Sequence, residues 1–332
     1  MINPKLVRAS KYIQENPHRL RPMAYLEILI LCLSLSMQFK FAAVGRVFRH
    51  FKLARISEVD LKYLECDVPI EVLIVSSHKD LEVLPLTIQS ILNNCVNPID
   101  SVTLIVQKKA LASAAKILED MGHSSVTFRV FDEETLVSHE FRIHLKKRYR
   151  DRYGWVLQQV LKVNYVLNSN KSGLLVVDAD TILLKKTGFL QRNGRQALLV
   201  SSELHRVYFR ELKRLGFSLA EPWTSTVTHH MLFQPSILKT ALDKVGAKSA
   251  EDIIRTLESK DSNLEANLSP FSIDYELYGQ WLISNERPKV SLKLTQNIEL
   301  KRSLKSFELV KELLSTDQSK LKFASASLHA YL

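Results

Sequence analysis

The stretch that decides the fold is Leu174-Leu175-Val176-Val177-Asp178-Ala179-Asp180-Thr181-Ile182-Leu183-Leu184. Its first four residues are apolar, follow Ser172-Gly173 and form a run too short for a helix, which predicts a buried strand. Asp178 and Asp180 follow at once, at the carboxyl end of the strand, where ligands bind in open α/β sheets. Two hard oxygen ligands suit a magnesium or manganese ion that also holds phosphates. The alternative is a strand followed by an Asp-capped turn that binds nothing.

Strand-like and helical runs alternate on the N-terminal side of this stretch. Residues 71–75, 101–106 and 126–131 have the apolar, β-branched composition of strands, and 80–94 and 110–121 are typical of helices. Such alternation implies right-handed crossovers and a mostly parallel sheet. We therefore predict an α/β fold in which Asp178 ends the fourth strand.

A further helical segment, 153–163, directly precedes the acidic strand. Leu157, Val160 and Leu161 form its apolar stripe, whereas Gln158 and Lys162 share another face at i, i+4 spacing. This spacing allows Lys162 to point at the same ligand pocket as the two aspartates. The alternative is a Gln–Lys pair on the surface.

The composition of the 332 residues is that of a folded globular protein, with 46% apolar and 24% charged residues. A net charge of +11 favours anionic partners such as sugar nucleotides or anionic lipid. The basic residues are dispersed and no nucleic-acid-binding motif occurs, so we predict no nucleic-acid partner. Three cysteines without a C-x-x-C spacing predict neither a disulfide framework nor a zinc site, and fit a cytoplasmic setting.

The chain divides at the change of pattern into a helical extension, 1–66, and an α/β domain, 67–332. The apolar segment 24–37 contains Glu27 and is shorter than the roughly 20 apolar residues that span a bilayer. The next segment carries phenylalanines at helical spacing among lysines and arginines, a basic amphipathic pattern that can bind anionic membrane surfaces. Peripheral contact through 24–56 with the inner face of a membrane is one prediction. Packing of the phenylalanines on the α/β domain is the other.

Four segments together carry a family resemblance. They are Gly154-Trp155-x-x-Gln158-Gln159-x-x-Lys162, Leu175-Val176-Val177-Asp178-Ala179-Asp180-Thr181, Thr228-His229-His230-Met231-Leu232-Phe233 and Ser272-Ile273-Asp274-Tyr275-Glu276-Leu277-Tyr278-Gly279. In this order they resemble nucleotide-sugar glycosyltransferases of the GT-A fold, in particular a bacterial family known mainly from sequence. The spacing from the lysine to Asp-x-Asp is also similar to the glycogenin and lipopolysaccharide galactosyltransferase group. The resemblance covers about 69–281.

The resemblance implies a GT-A-like, Rossmann-type sheet flanked by helices. It also implies metal-dependent transfer of a sugar from a nucleotide-sugar to a glycan or lipid-linked acceptor, as in polysaccharide biosynthesis. Asp178 and Asp180 would bind Mn²⁺ or Mg²⁺ together with the ribose and diphosphate of the sugar donor. A histidine near the C-terminus often completes the metal shell in such enzymes, and His329 is the candidate.

Other residues fall into the site that the resemblance implies. The nucleotide-binding group comprises Ser76 and Ser77 at the end of the first strand, together with Gln158, Gln159 and Lys162. His229 and His230 lie in an apolar run, so on a strand one faces inward and the other outward. The outward one is predicted to bind acceptor or sugar donor, with Trp223 upstream as an apolar wall.

Asp274 and Glu276 are the acids of a late block rich in aromatic residues, and we predict that they are catalytic. Glu276 is the candidate general base, because inverting transfer needs a carboxylate to deprotonate the acceptor hydroxyl. If transfer is retaining, Glu276 only orients the substrate.

Two other functions fit part of the pattern. A haloacid-dehalogenase-type phosphatase also has Asp-x-Asp after a strand, with Asp178 then as nucleophile and Asp180 as general acid/base. Against it, three strand–helix units precede the motif here, and the later acidic pair of that family is missing. A catalytically inactive protein of the GT-A fold is the other alternative.

Overall fold

The structure is a computed structural model that describes residues 61–122, 125–201, 205–219, 224–260, 271–321 and 323–330. Trp223 and residues 1–60 of the predicted extension lie outside these ranges. Within them, no helix has both the length and the apolar character needed to cross a membrane.

A five-stranded sheet forms the centre of the molecule. Its strands are β1 (Ile70–Ser76), β2 (Ile99–Val106), β3 (Thr127–Asp132), β4 (Leu174–Asp178) and β7 (His230–Phe233). They lie in the order β3-β2-β1-β4-β7, with the first four parallel and β7 antiparallel to β4. The prediction of an α/β fold with a mostly parallel sheet is confirmed, and Asp178 ends the fourth strand.

Helices cover both faces of this sheet. They are α1 (Leu84–Asn94), α2 (Leu111–Met121), α3 (His139–Tyr149), α4 (Tyr153–Leu167), α5 (Arg206–Leu215), α6 (Pro235–Lys244), α7 (Ala250–Ser259) and α8 (Tyr275–Asn285). A further helix, α9 (Leu304–Ser315), packs instead with Ile182 and Leu328 outside this sheet. Successive side chains of β1 point to opposite faces. Leu73 packs in the core shared with α4, whereas Ile74 packs in the core shared with α1 and α2. Burial on both faces explains the near-continuous apolar sequences of the strands.

The first helix is shorter than predicted. Residues His78–Asp80 form a 3-10 turn, and α1 begins only at Leu84. Pro85 lies in the first turn of α1, where its missing N–H costs nothing because first-turn amides have no partner within the helix.

Two smaller sheets complete the fold. In the first, β5 (Thr181–Leu183) pairs antiparallel with β10 (Ser325–His329), which pairs in parallel with β9 (Asn297–Lys301). In the second, β6 (Gln196–Val200) pairs with β8 (Val290–Leu294). Because the amide of Leu328 donates to the carbonyl of Asp180 over 2.9 Å, β10 brings the end of the chain back to the acidic strand end.

Candidate active site

Lys162 binds the carboxylate that ends β4. Its Nζ lies 2.6 Å from Oδ1 of Asp178 and 3.3 Å from Oδ2 of Asp274. The hydroxyl of Tyr275 donates to the same Oδ1 of Asp178 over 2.8 Å. Lys162 is buried, so the alternative of a surface Gln–Lys pair is excluded.

The ion pair between Lys162 and Asp178 stays charged despite its burial. Burial alone would lower the pKa of Lys162, but the attraction of Asp178 and Asp274 outweighs it and raises the pKa above its ordinary value. Burial alone would also raise the pKa of Asp178, but Lys162 and His229 outweigh it and hold that pKa well below the usual range. The pKa of Tyr275 is raised well above its ordinary value by burial and by the neighbouring carboxylates, so its hydroxyl remains a hydrogen-bond donor.

Each aspartate of the Asp-x-Asp pair contacts a different histidine. Nδ1 of His229 lies 3.2 Å from Oδ2 of Asp178, and Nδ1 of His329 lies 2.9 Å from Oδ2 of Asp180. The two imidazole rings lie 5.8 Å apart between centroids. His229 has a φ of 63°, in the left-handed region that non-glycine residues rarely adopt, directly before β7.

A third group joins the histidines. His229, His329 and Glu299 have ligand atoms that all lie within 4.8 Å of one another, and among the described residues this is the group of His, Cys, Asp and Glu side chains that converges in this way. Imidazole nitrogen with carboxylate oxygen is a donor set that suits a divalent transition-metal ion. The predicted set of Asp178, Asp180 and His329 is therefore near the site but is not the set that converges.

Sequence reasoning missed Glu299. It lies exposed on β9, paired in register with Ser327 of β10. The sequence around it shows only a short polar strand, and nothing local indicates that this strand lies beside the one carrying His329. The pairing of β9 with β10 brings Glu299 close to His329.

The residues predicted to bind the nucleoside lie at the same end of the central sheet as Asp178, where the parallel strands finish. Ser76 ends β1, which pairs with β4 so that Val75 lies opposite Asp178. The hydroxyl of Ser77 donates to Oδ2 of Asp80 over 2.6 Å. Their nucleoside-binding role stays a prediction.

The two glutamines at 158 and 159 differ in environment. Gln159 is buried, and its side-chain amide donates to the carbonyl of Phe271 and accepts from the amide of Ile273. These hydrogen bonds hold the segment that leads to Asp274, and the predicted role of Gln159 in nucleotide binding stays a prediction. Gln158 is only partly buried on α4, and its role in binding the sugar donor stays a prediction.

Asp274 and Glu276 point to different places. Asp274 joins the Lys162 cluster, with its Oδ1 accepting from the hydroxyl of Ser272 over 2.9 Å. Glu276 is fully buried and accepts hydrogen bonds from the hydroxyl of Ser225, the amide of Thr226 and the side chain of Gln280. Burial raises the pKa of Glu276 to about 7, although these hydrogen bonds oppose the rise. A pKa near 7 suits a base, but the burial of the carboxylate does not favour contact with an acceptor.

His230 lies inside the core, and His229 lies at the site. Burial, followed by the neighbouring His229, lowers the pKa of His230 to about 4, so its ring is neutral. Its Nδ1 has no hydrogen-bond partner within the described part of the chain. A role for His230 in binding the acceptor therefore stays a prediction that its burial does not favour.

Comparison with known proteins gives a weak likeness in structure alone. No protein-family model matches the chain, and no curated protein matches its sequence. The apo crystal structure of mouse Xyloside xylosyltransferase 1 aligns with 79% of this chain and 98% of its own, at 11% identity and a TM-score of 0.43. The apo structure of the bifunctional glycosyltransferase WbbM aligns with 92% of this chain and 59% of its own, at 12% identity and a TM-score of 0.45. Both are glycosyltransferases, but a likeness at this level carries no functional argument.

Proposed function

We propose that this chain is a metal-dependent glycosyltransferase that moves a sugar from a nucleotide-sugar donor to a glycan or lipid-linked acceptor. The observation that carries the proposal is the acidic cluster at the carboxyl end of β4. Four carboxylates, Asp178, Asp180, Asp274 and Glu299, lie there with two histidines and a single buried lysine, Lys162. The carboxylates outnumber the buried ammonium group in this cluster, which favours a divalent cation at the end of the sheet where α/β proteins bind ligands.

The chemistry of the transfer uses such a site directly. The oxygen of the acceptor hydroxyl would bond to the anomeric carbon as the bond to the nucleoside diphosphate breaks, and the hydroxyl proton would pass to a carboxylate or to the departing diphosphate. A divalent cation held at this site would supply stabilisation of the negative charge on the departing diphosphate. Lys162 fixes Asp178 and Asp274, and Tyr275 keeps its hydroxyl proton as a further donor at this edge.

The phosphatase alternative receives less support from the same geometry. A nucleophilic Asp178 would need an oxygen directed at phosphorus. Its Oδ1 instead accepts from Lys162 and Tyr275, and its Oδ2 contacts His229. These contacts favour a positioning role for Asp178.

The test is calorimetric titration of the full chain with UDP and with GDP, in Mn²⁺ and in EDTA. We expect binding of at least one of them that requires the metal and that falls by about tenfold or more in Asp180→Asn, the range for loss of a group that holds or orients a metal ligand. Asp120→Asn is the matched control, because Asp120 is an exposed aspartate on α2 far along the chain from the site. Equal affinity with Mn²⁺ and with EDTA would contradict the proposal.

A further inference from the structure

The two aspartates of the Asp-x-Asp pair each contact the Nδ1 of a histidine, and this arrangement constrains which atoms can reach a metal. An ionised carboxylate only accepts hydrogen bonds. Where it contacts Nδ1, that nitrogen therefore carries the proton and Nε2 carries the lone pair of the ring. The contact with Asp178 therefore fixes the tautomer of His229, and the contact with Asp180 fixes that of His329. Metal-binding histidines usually donate their second ring nitrogen to a carboxylate in the same manner.

From this geometry we propose that the divalent cation is held by His229, His329 and Glu299, and that Asp178 and Asp180 orient the two histidines and are not themselves ligands. The inference rests on the metal dependence of the proposed function. It departs from what the family resemblance implies, since the resemblance assigns the ion to the two aspartates.

The distances agree with this assignment. Ligand atoms on opposite sides of an ion bound at about 2.1 Å lie about 4.2 Å apart, and adjacent ones lie closer. One ligand atom from each of His229, His329 and Glu299 lies within 4.8 Å of the other two, so closure of all three around an ion needs their separations to shorten by about 1 Å. Glu299 is exposed and can make such a shift by side-chain rotation.

The contacts of Asp178 also argue against its being a ligand. Its two carboxylate oxygens already accept hydrogen bonds from the ammonium group of Lys162 and the hydroxyl of Tyr275 and contact the ring of His229. A cation placed on this carboxylate would also lie close to the buried ammonium group of Lys162, and the like charges would repel each other.

The donor set has a consequence for the identity of the ion. Two imidazoles and one carboxylate suit Mn²⁺, Co²⁺ or Zn²⁺, whereas Mg²⁺ prefers oxygen ligands and keeps its water. We therefore expect the full chain to bind Mn²⁺ at least tenfold more tightly than Mg²⁺.

The experiment is electron paramagnetic resonance of Mn²⁺ bound to the full chain, with electron spin-echo detection of coordinated imidazole nitrogen. We expect two nitrogen couplings in the native chain and one in His229→Ala. If Asp178, Asp180 and His329 were the ligands, the native chain would show one coupling and His229→Ala would leave it unchanged.

A second measurement tests Glu299. The dissociation constant for Mn²⁺, read from the free-ion signal, should rise about tenfold or more in Glu299→Gln and stay unchanged in Glu308→Gln, an exposed glutamate on α9. A native chain that binds Mn²⁺ with one nitrogen, and Glu299→Gln that binds it as tightly, would overturn this inference alone. A native chain that binds no Mn²⁺ would overturn the proposed metal-dependent function as well.

Discussion

At the residue scale, Glu276 shows how burial decides what a carboxyl group can do. Its side chain is fully buried, and the hydrogen bonds from Ser225, Thr226 and Gln280 do not fully offset the loss of water. A pKa of about 7 in the folded chain compares with 4.5 for the same group in water. The folded state therefore keeps this proton in a pH range where the unfolded state has lost it.

We predict that Glu276 lowers stability as pH rises. Below about pH 4.5 both states are protonated, between about 4.5 and 7 only the unfolded state ionises, and above about 7 the loss levels off. The shift corresponds to about 3 kcal/mol. In urea unfolding, the free energy of unfolding of Glu276→Gln relative to that of the native chain should therefore be about 2.5 kcal/mol higher at pH 8 than at pH 5.

Comparing the two pH values cancels the fixed cost of replacing the carboxyl by an amide. For Glu308→Gln, the difference in free energy of unfolding from the native chain should be the same at both pH values, since Glu308 is exposed. If this difference were the same at pH 5 and pH 8 for Glu276→Gln, burial would not raise the pKa of Glu276 as proposed.

At the element scale, α8 approaches the segment before β7 so closely that only glycine fits at the contact. A Cβ built on Gly279 would lie 2.3 Å from Oγ1 of Thr226. The same hydroxyl donates to the carbonyl of Tyr275 over 2.9 Å, at the start of α8. This contact fixes the end of the helix that presents Asp274 to Lys162 and Tyr275 to Asp178.

We predict that Gly279→Ala destabilises the chain by about 1–3 kcal/mol, the range for overpacking a close contact. The matched control is Gly154→Ala, because Gly154 is also helical but a Cβ there meets nothing within 4 Å. Alanine should stabilise that helix by about 0.5–1 kcal/mol. Chemical denaturation of both variants is the measurement, and a stabilised Gly279→Ala would show that helix propensity outweighs the contact.

The same elements show what could be predicted from the sequence. The position of Lys162 near Asp178 could be predicted, because the helix that carries the lysine directly precedes the acidic strand. The i, i+4 spacing of Gln158 and Lys162 also indicated which face of that helix carries the lysine. Glu299 could not be predicted, since its position depends on the pairing of β9 with β10, and only that pairing makes it a neighbour of His329. The burial of Glu276 depends on α8 packing against residues 224–228, which no local pattern indicates.

At the scale of the whole molecule, the sequence before the α/β domain meets the described structure at Leu61. Leu61 packs with Cys66 and Ala197, and the hydroxyl of Tyr63 donates to the carbonyl of Lys186 over 2.7 Å. Residues 61–66 thus contact the α/β domain, while the predicted boundary after residue 66 and the membrane contact through 24–56 stay predictions. A shortened chain should therefore begin at Leu61, so that these contacts are kept.

We predict that the full chain sediments with vesicles rich in anionic lipid at low salt and that the chain beginning at Leu61 does not. The segment 24–56 combines apolar residues with lysines and arginines, so binding should draw on buried apolar area and on attraction to anionic headgroups. Raising the salt concentration should release the full chain, because the attraction is screened over about 8 Å at physiological ionic strength. Vesicles of neutral lipid are the control, and thermal unfolding establishes that the shortened chain is folded. The prediction of a membrane contact is wrong if the two chains sediment with the vesicles to the same extent, or if the shortened chain does not fold. Packing of residues 1–60 on the α/β domain would then be the better interpretation.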